Sequence, residues 1–126
     1  WLVMAFAMQQ DAERAYELLR YVSPLLHGNT KQEADKYRGE PYVMAGDVYE
    51  GEHPGQAGWT WYTGSAGWAY RLIIEYILGM KMENGEVSFS PRVPVAWDSF
   101  KVSYTLNEEL KQFVYERKVD KLLPNK

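Results

Sequence analysis

The sequence contains no cysteine and only two histidines. The first absence excludes disulfides and thiolate-held metals, and it leaves the compartment open. His27 and His53 lack metal-ligand spacing and read as surface or loop residues, so no metal site and no cofactor are expected. There is no excess of basic charge: 14 Lys and Arg stand against 17 Asp and Glu, for a net charge of −3. A nucleic-acid footprint is therefore not expected. No apolar run approaches the roughly 20 residues of a membrane span. Internal repeats and low-complexity segments are also missing. The chain begins Trp1-Leu2-Val3-Met4-Ala5-Phe6-Ala7-Met8, without an initiator methionine and without a capping residue. It reads as the middle of a buried helix, and the chain as a fragment of a longer protein, so a targeting signal cannot be judged from it.

What the sequence does hold is rings. Aromatics make up 15% of the 126 residues, with five Trp and ten Tyr, in a chain that is 46% apolar and 25% charged. This is a globular composition at about the length of one small domain. It calls for either a heavily aromatic core or an aromatic-lined cleft. The densest stretch is Gly58-Trp59-Thr60-Trp61-Tyr62-Thr63-Gly64-Ser65-Ala66-Gly67-Trp68-Ala69-Tyr70. It passes directly into the apolar helical pattern Leu72-Ile73-Ile74-Glu75-Tyr76-Ile77-Leu78. Small and hydroxyl residues just before a helix offer free backbone N–H groups at the positive end of its dipole, which suits an anion. Aromatic rings beside them suit the flat faces of a sugar. The two together suggest a site for a phosphate and a carbohydrate.

Periodicity places helices first and strands afterwards, an α+β organisation. Residues 1–10 read as a helix tail. Asp11 reads as the cap of a second helix over Ala12 to Leu26, with Pro24 kinking its last turn and Gly28-Asn29 ending it. Lys31 to Tyr37 is a short polar helix or turn, and Glu50 to Gly58 a loop. Ser65 to Leu78 is a third helix closed by Gly79. The period then changes: Asn84-Gly85 is a hairpin turn between Lys81-Met82-Glu83 and the alternating Glu86 to Ser90. Pro91 to Trp97 is a crossover, and Phe100 to Leu106 another strand. Asn107 to Leu110 and Phe113 to Val119 fit either strand or helix.

Several of these residues resemble those of glycoside hydrolase family 94, the inverting β-glucoside phosphorylases, and of the matching domain of cyclic β-1,2-glucan synthases. The motifs are Glu40-Pro41-Tyr42-Val43 with Asp47-Val48-Tyr49, the run from Gly58 to Trp68, Glu75-Tyr76-Ile77-Leu78-Gly79, and Pro91-Arg92-Val93-Pro94 followed by Trp97. The similarity covers about Trp1 to Leu106. It implies a large parent enzyme: an N-terminal β-sandwich, a helical linker, an (α/α)6 barrel and a C-terminal β-unit. Residues 1–79 would be the last barrel helices with the aromatic loop, and residues 80–126 the start of the β-unit with an unassigned tail. The implied reaction is attack of inorganic phosphate, a co-substrate, on a β-linked glucose oligosaccharide or disaccharide, with inversion to an α-sugar 1-phosphate. An aspartate upstream of this chain would be the general acid, so no catalytic residue is expected here. Phosphate is itself the nucleophile, which removes the need for a second carboxylate.

The resemblance carries phosphate binding onto Thr63, by its hydroxyl, and Gly64, by its backbone N–H. Cellobiose-type members hold a glutamine six residues after the glutamate of Glu-Pro-Tyr-Val, where this chain has Gly46. That difference tilts the expected linkage toward β-1,2. The parent would be a cytoplasmic enzyme or a cytoplasmic domain of a membrane-bound synthase. Barrel helices deprived of their neighbours would leave apolar faces through which the chain could form an oligomer.

Each of these residues also has a plainer reading. Thr63-Gly64 can be a helix cap and turn. Trp68, one turn into a helix, reads as core. Trp59 and Trp61 share a side if the loop is extended, and are either core or cleft. Glu40 reads as holding backbone or an arginine and Asp47 as ordering a loop, rather than the two as a catalytic pair. Arg71 reads as structural, and Glu108 to Lys121 as a solvated face. The rival to an enzyme fragment is a non-catalytic carbohydrate-binding or structural module, with the aromatics as its sugar platform.

Overall fold

A computed structural model describes residues 1–117. The chain gathers into two compact units, residues 1–93 and a second from Pro94 onward. Both α and β structure are present, with five α-helices and three two-stranded antiparallel sheets among the described residues.

In the first unit, α1 spans Leu2–Met8. Asp11 then caps α2 (Ala12–Val22), its Oδ1 accepting the Arg14 backbone N–H at 3.0 Å. The single helix expected over Ala12 to Leu26 is instead two. Ser23 is extended at ψ 116°, and α3 (Pro24–His27) starts afresh with Pro24 in its first turn. Proline has no N–H to donate back into α2, and its ring drives the preceding residue out of the helical region. At the first position of a new helix neither property costs anything. α4 (Lys31–Tyr37) opens with a capping box, in which Thr30 Oγ1 accepts the Glu33 N–H and Glu33 Oε2 accepts the Thr30 N–H.

Two short strands follow, β1 (Asp47–Val48) and β2 (Ala57–Gly58), with Asp47 opposite Gly58. They bracket the expected loop. The third helix begins two residues earlier than its apolar period indicates. α5 spans Thr63–Arg71 and then widens into a π-turn, Leu72–Ile77, where the Leu78 N–H reaches back to the Ile73 carbonyl at 2.8 Å. Arg92 takes the carbonyls at the end of this turn: its N–H donates to Ile77 at 2.8 Å and its Nη1 to Tyr76 at 3.4 Å. The wider turn carries Leu72 and Ile77 inward, and α1 and α2 pack around it to bury Val3, Ala7 and Ala15.

Gly79 stops this helix at φ +69°. β3 (Met80–Glu83) and β4 (Glu86–Phe89) then form the expected hairpin, with Asn84 and Gly85 at φ 53° and 82°, the left-handed pair of a tight turn. The Ser90 N–H donates to the Gly79 carbonyl at 2.9 Å, and a Cβ on Gly79 would overlap the Ser90 backbone carbonyl. Backbone cannot move aside as a flexible side chain can. Gly79→Ala is therefore expected to destabilise the fold by at least about 2 kcal/mol, combining a left-handed φ with overpacking. Chemical denaturation would show this as a lower midpoint; an unchanged midpoint would mean that the helix end and hairpin can separate freely.

The second unit is a hairpin of β5 (Ser99–Leu106) and β6 (Glu109–Glu116). Of the stretches that fit either helix or strand, Asn107 and Glu108 are a turn, Glu109 to Glu116 is strand, Arg117 is irregular, and residues 118 and 119 lie outside the described residues. Asn107 and Glu108 make the turn at φ 51° and 65°, a left-handed pair without glycine that no local signal announces. Phe100 stacks on its cross-strand partner Tyr115, ring centres 4.9 Å apart. Arg117 donates from its guanidinium to the Pro94 carbonyl at 2.9 Å. Among the described residues no helix is long and apolar enough to cross a membrane.

Candidate functional site

The aromatic loop between β2 and α5 is held from behind. The β1–β2 ladder continues one step further, with the Gly46 N–H donating to the Trp59 carbonyl at 3.0 Å. Gly58 lies so close to Tyr49 that an added Cβ would sit 2.7 Å from the ring, and it would also overlap Asp47 Oδ1. Both neighbours are side-chain ends, and strand and loop approach closely here.

The two loop tryptophans do not share a side of an extended strand. Both have left-handed backbone, Trp59 at φ 53° and Trp61 at φ 65°. That conformation is uncommon for a bulky side chain and persists only where the surroundings hold it. Their rings remain 67% and 66% exposed, which within this chain removes the core reading for both. Trp59 meets Tyr62 edge-on with ring centres 6.4 Å apart, and Trp61 meets Tyr42 in the same manner at 6.1 Å. The Trp61 Nε1–H donates to Glu40 Oε1 at 3.1 Å. The Glu40 carboxyl is held below the usual carboxylate range, by its own backbone N–H first and then by the Trp61 indole. Trp68, expected in the core, is 43% exposed. It lies 4.9 Å from Trp1 and beneath the Arg71 guanidinium at 5.2 Å, so α5 turns it outward along a face this chain does not cover. Arg71 is structural, donating to both Glu75 carboxylate oxygens one helical turn on. His27 is more ordered than a loop residue: it stacks on buried Tyr37 and contacts the Tyr21 carbonyl.

Thr63 is the first residue of α5 rather than its cap. The cap position is Tyr62, which makes no side-chain capping bond. The first bond of the helix is Ala66 N–H to the Tyr62 carbonyl, and the N–H groups of Thr63, Gly64 and Ser65 have no acceptor among the described residues. Gly64 has no positive φ, and an added Cβ there would meet nothing. Neither backbone strain nor packing within this chain asks for glycine at that position. Gly64 leaves space at the helix end, where Trp61, Tyr62 and Thr63 are exposed and the Ser65 hydroxyl donates to the Tyr62 carbonyl at 3.4 Å. An oxyanion there would meet several N–H donors and the positive dipole end together. Among the described residues no group of acidic or histidine side chains could hold a metal ion.

Sequence reasoning missed the partners that fix these rings. Tyr42 and Glu40 stand 19 and 21 residues before Trp61 in the chain, and no local period connects them. The one available signal was the Glu40-Pro41-Tyr42 motif itself.

Residues 1–79 match the family described as "Glycosyl hydrolase 94 superfamily, catalytic domain". The chain is 43% identical to the cyclic β-(1,2)-glucan synthase NdvB of Rhizobium meliloti (strain 1021), over 85% of this chain and 4% of that protein. It is 29% identical to the N,N'-diacetylchitobiose phosphorylase of Vibrio furnissii, over 82% of this chain and 13% of that one. It is 32% identical to the cellobionic acid phosphorylase of Neurospora crassa, over 92% and 16%. The chain thus spans between 4% and 16% of the length of these relatives.

Proposed function

Because this chain belongs to the glycosyl hydrolase 94 superfamily, we propose that it is the part of an inverting β-glucoside phosphorylase that supplies part of the phosphate and sugar subsite. The observation that carries this reading is the uncapped start of α5. There Thr63 and Gly64 present a hydroxyl and unpaired N–H groups beside two exposed tryptophans.

In this reading phosphate sits at the α5 terminus, held by the Thr63 hydroxyl and the Gly64 N–H. The helix dipole favours its charge without neutralising the oxygen that must attack. Trp59 and Trp61 bound the glucose ring whose anomeric carbon faces that oxygen. An aspartate elsewhere in the parent protonates the leaving oxygen, and attack from the opposite face inverts the centre to an α-sugar 1-phosphate. The helices of residues 1–79 close an (α/α)6 barrel, and residues 80–126 begin a C-terminal β-unit. Neighbouring barrel helices would cover Trp1, Leu2, Tyr70 and Ile73, which are exposed here and through which the isolated chain would associate.

Position 46 supports a β-1,2 linkage. A Cβ on Gly46 would stand 3.5 Å from the Trp59 Cβ and 3.6 Å from the Tyr62 ring. A long side chain there would extend along the Trp59–Tyr62 pair and narrow the cleft. Glycine leaves room for the bent path of a β-1,2-linked glucose chain, and the cyclic β-(1,2)-glucan synthase relative agrees with that choice.

Incubating the longer protein with β-1,2-linked glucose oligosaccharides and phosphate, and following the anomeric signal by NMR, tests the reading. Phosphate-dependent appearance of α-glucose 1-phosphate is expected. Phosphate-independent release of free glucose would overturn it.

A further inference from the structure

Glu40, Tyr42 and Trp61 form a unit of which the phosphate and sugar roles above use only Trp61. Trp61 holds a left-handed backbone with most of its ring exposed. A carboxylate from a segment 21 residues away accepts its indole N–H at 3.1 Å, and the Tyr42 ring closes on its edge at 6.1 Å and 65°. In water both the indole N–H and the carboxylate would be satisfied without each other, so joining them yields little stability. What it does yield is orientation. A rim bond and an edge contact remove the rotation of the ring and leave a face open. A flat apolar surface held rigid before a ligand arrives loses less entropy on binding.

We propose that Glu40 is a positioning residue that fixes the Trp61 indole by its rim, so that Trp61, with the Tyr42 ring edge-on beside it, presents its open face to the apolar face of a β-linked glucose ring. Glu40 acts through Trp61 and not on the reacting atoms. The inference rests on the sugar-cleft reading above and adds Tyr42 to that cleft. Its low-lying carboxyl titration keeps Glu40 an ionised acceptor at neutral pH.

The test is a double-mutant cycle in the longer protein, with sophorose, the β-1,2-linked glucose disaccharide, as probe. Binding is read by calorimetry and KM by kinetics. Glu40→Leu is expected to weaken sophorose binding about 3- to 10-fold and leave the KM for phosphate unchanged. Glu40→Gln keeps an acceptor oxygen and is expected to bind within about twofold of the parent protein. Trp61→Phe keeps a ring and removes the donor, so Glu40→Leu in that background is expected to add nothing. An equal loss from Glu40→Leu in both backgrounds would overturn the proposal, because Glu40 would then act elsewhere. Should Glu40→Leu not fold, Trp61→Phe breaks the same bond from the donor side; unweakened sophorose binding in that variant would also overturn it. If sophorose binds but no phosphorolysis occurs, the phosphorylase reading fails while the cycle, read by calorimetry alone, still decides the role of Glu40. If the parent protein binds no sophorose, the platform itself is refuted.

Discussion

Purified alone, the 126-residue chain is expected to release no measurable sugar 1-phosphate from sophorose, cellobiose or chitobiose in the presence of phosphate. The described residues offer an anion-ready helix start and a set of rings, but no acid in reach of a leaving oxygen. Glu40 is engaged with Trp61 and sits low in its titration, so at neutral pH it has no proton to give. Losing a positioned proton donor typically lowers a rate by about 10² to 10⁴. Here the missing phosphate ligands add to that, so the loss should reach the detection limit. A coupled assay for glucose 1-phosphate on the isolated chain, beside the longer protein, measures the difference. Turnover at an ordinary enzymatic rate from the isolated chain would show that it carries its own acid, and the reading as part of a larger site would fall.

In the longer protein, Thr63→Val is expected to impair the use of phosphate far more than the binding of sugar. The substitution preserves shape and β-branching at the first position of α5, where the side chain makes no capping bond to lose. What disappears is one hydroxyl donor to an anion, worth roughly 1.5–3 kcal/mol, or a loss of about 10- to 150-fold. Initial rates at varied phosphate, with sophorose saturating, measure the effect. Because Thr63 is not the cap, helix stability should hardly change, and circular dichroism of the variant serves as the control. Unchanged phosphate kinetics would remove Thr63 from the subsite and leave the neighbouring N–H groups as its only candidates. The contrast with the Glu40 cycle is useful: one variant moves the phosphate constant, the other the sugar constant.

Much of the local structure could be read in advance because its causes are local. Asp11 caps α2 because a carboxylate three residues before a free N–H can reach it. Asn84-Gly85 turns because both residues tolerate a positive φ. The Ser23–Pro24 break was legible only as a kink, since periodicity reports which side of a helix is apolar and not whether its backbone bonds continue. The π-turn at Leu72–Ile77 was not legible at all. It depends on Arg92, which lies beyond the β3–β4 hairpin, taking the carbonyls that close the turn.

The aromatic site divides in the same way. That an anion-suited helix start would follow a run of rings was settled by the order of residues from Gly58 to Gly67, because backbone donors and helix dipoles belong to any helix that begins there. Which way the rings face was not. An alternating stretch would have put Trp59 and Trp61 on one side of a strand. Instead both tryptophans have left-handed backbone, with Gly46 paired to Trp59 and the Trp61 indole donating to Glu40. A single left-handed tryptophan is unfavourable by itself, so no local preference could announce two of them. Contacts between segments distant in sequence stabilise that conformation, and they exist only once the chain has folded.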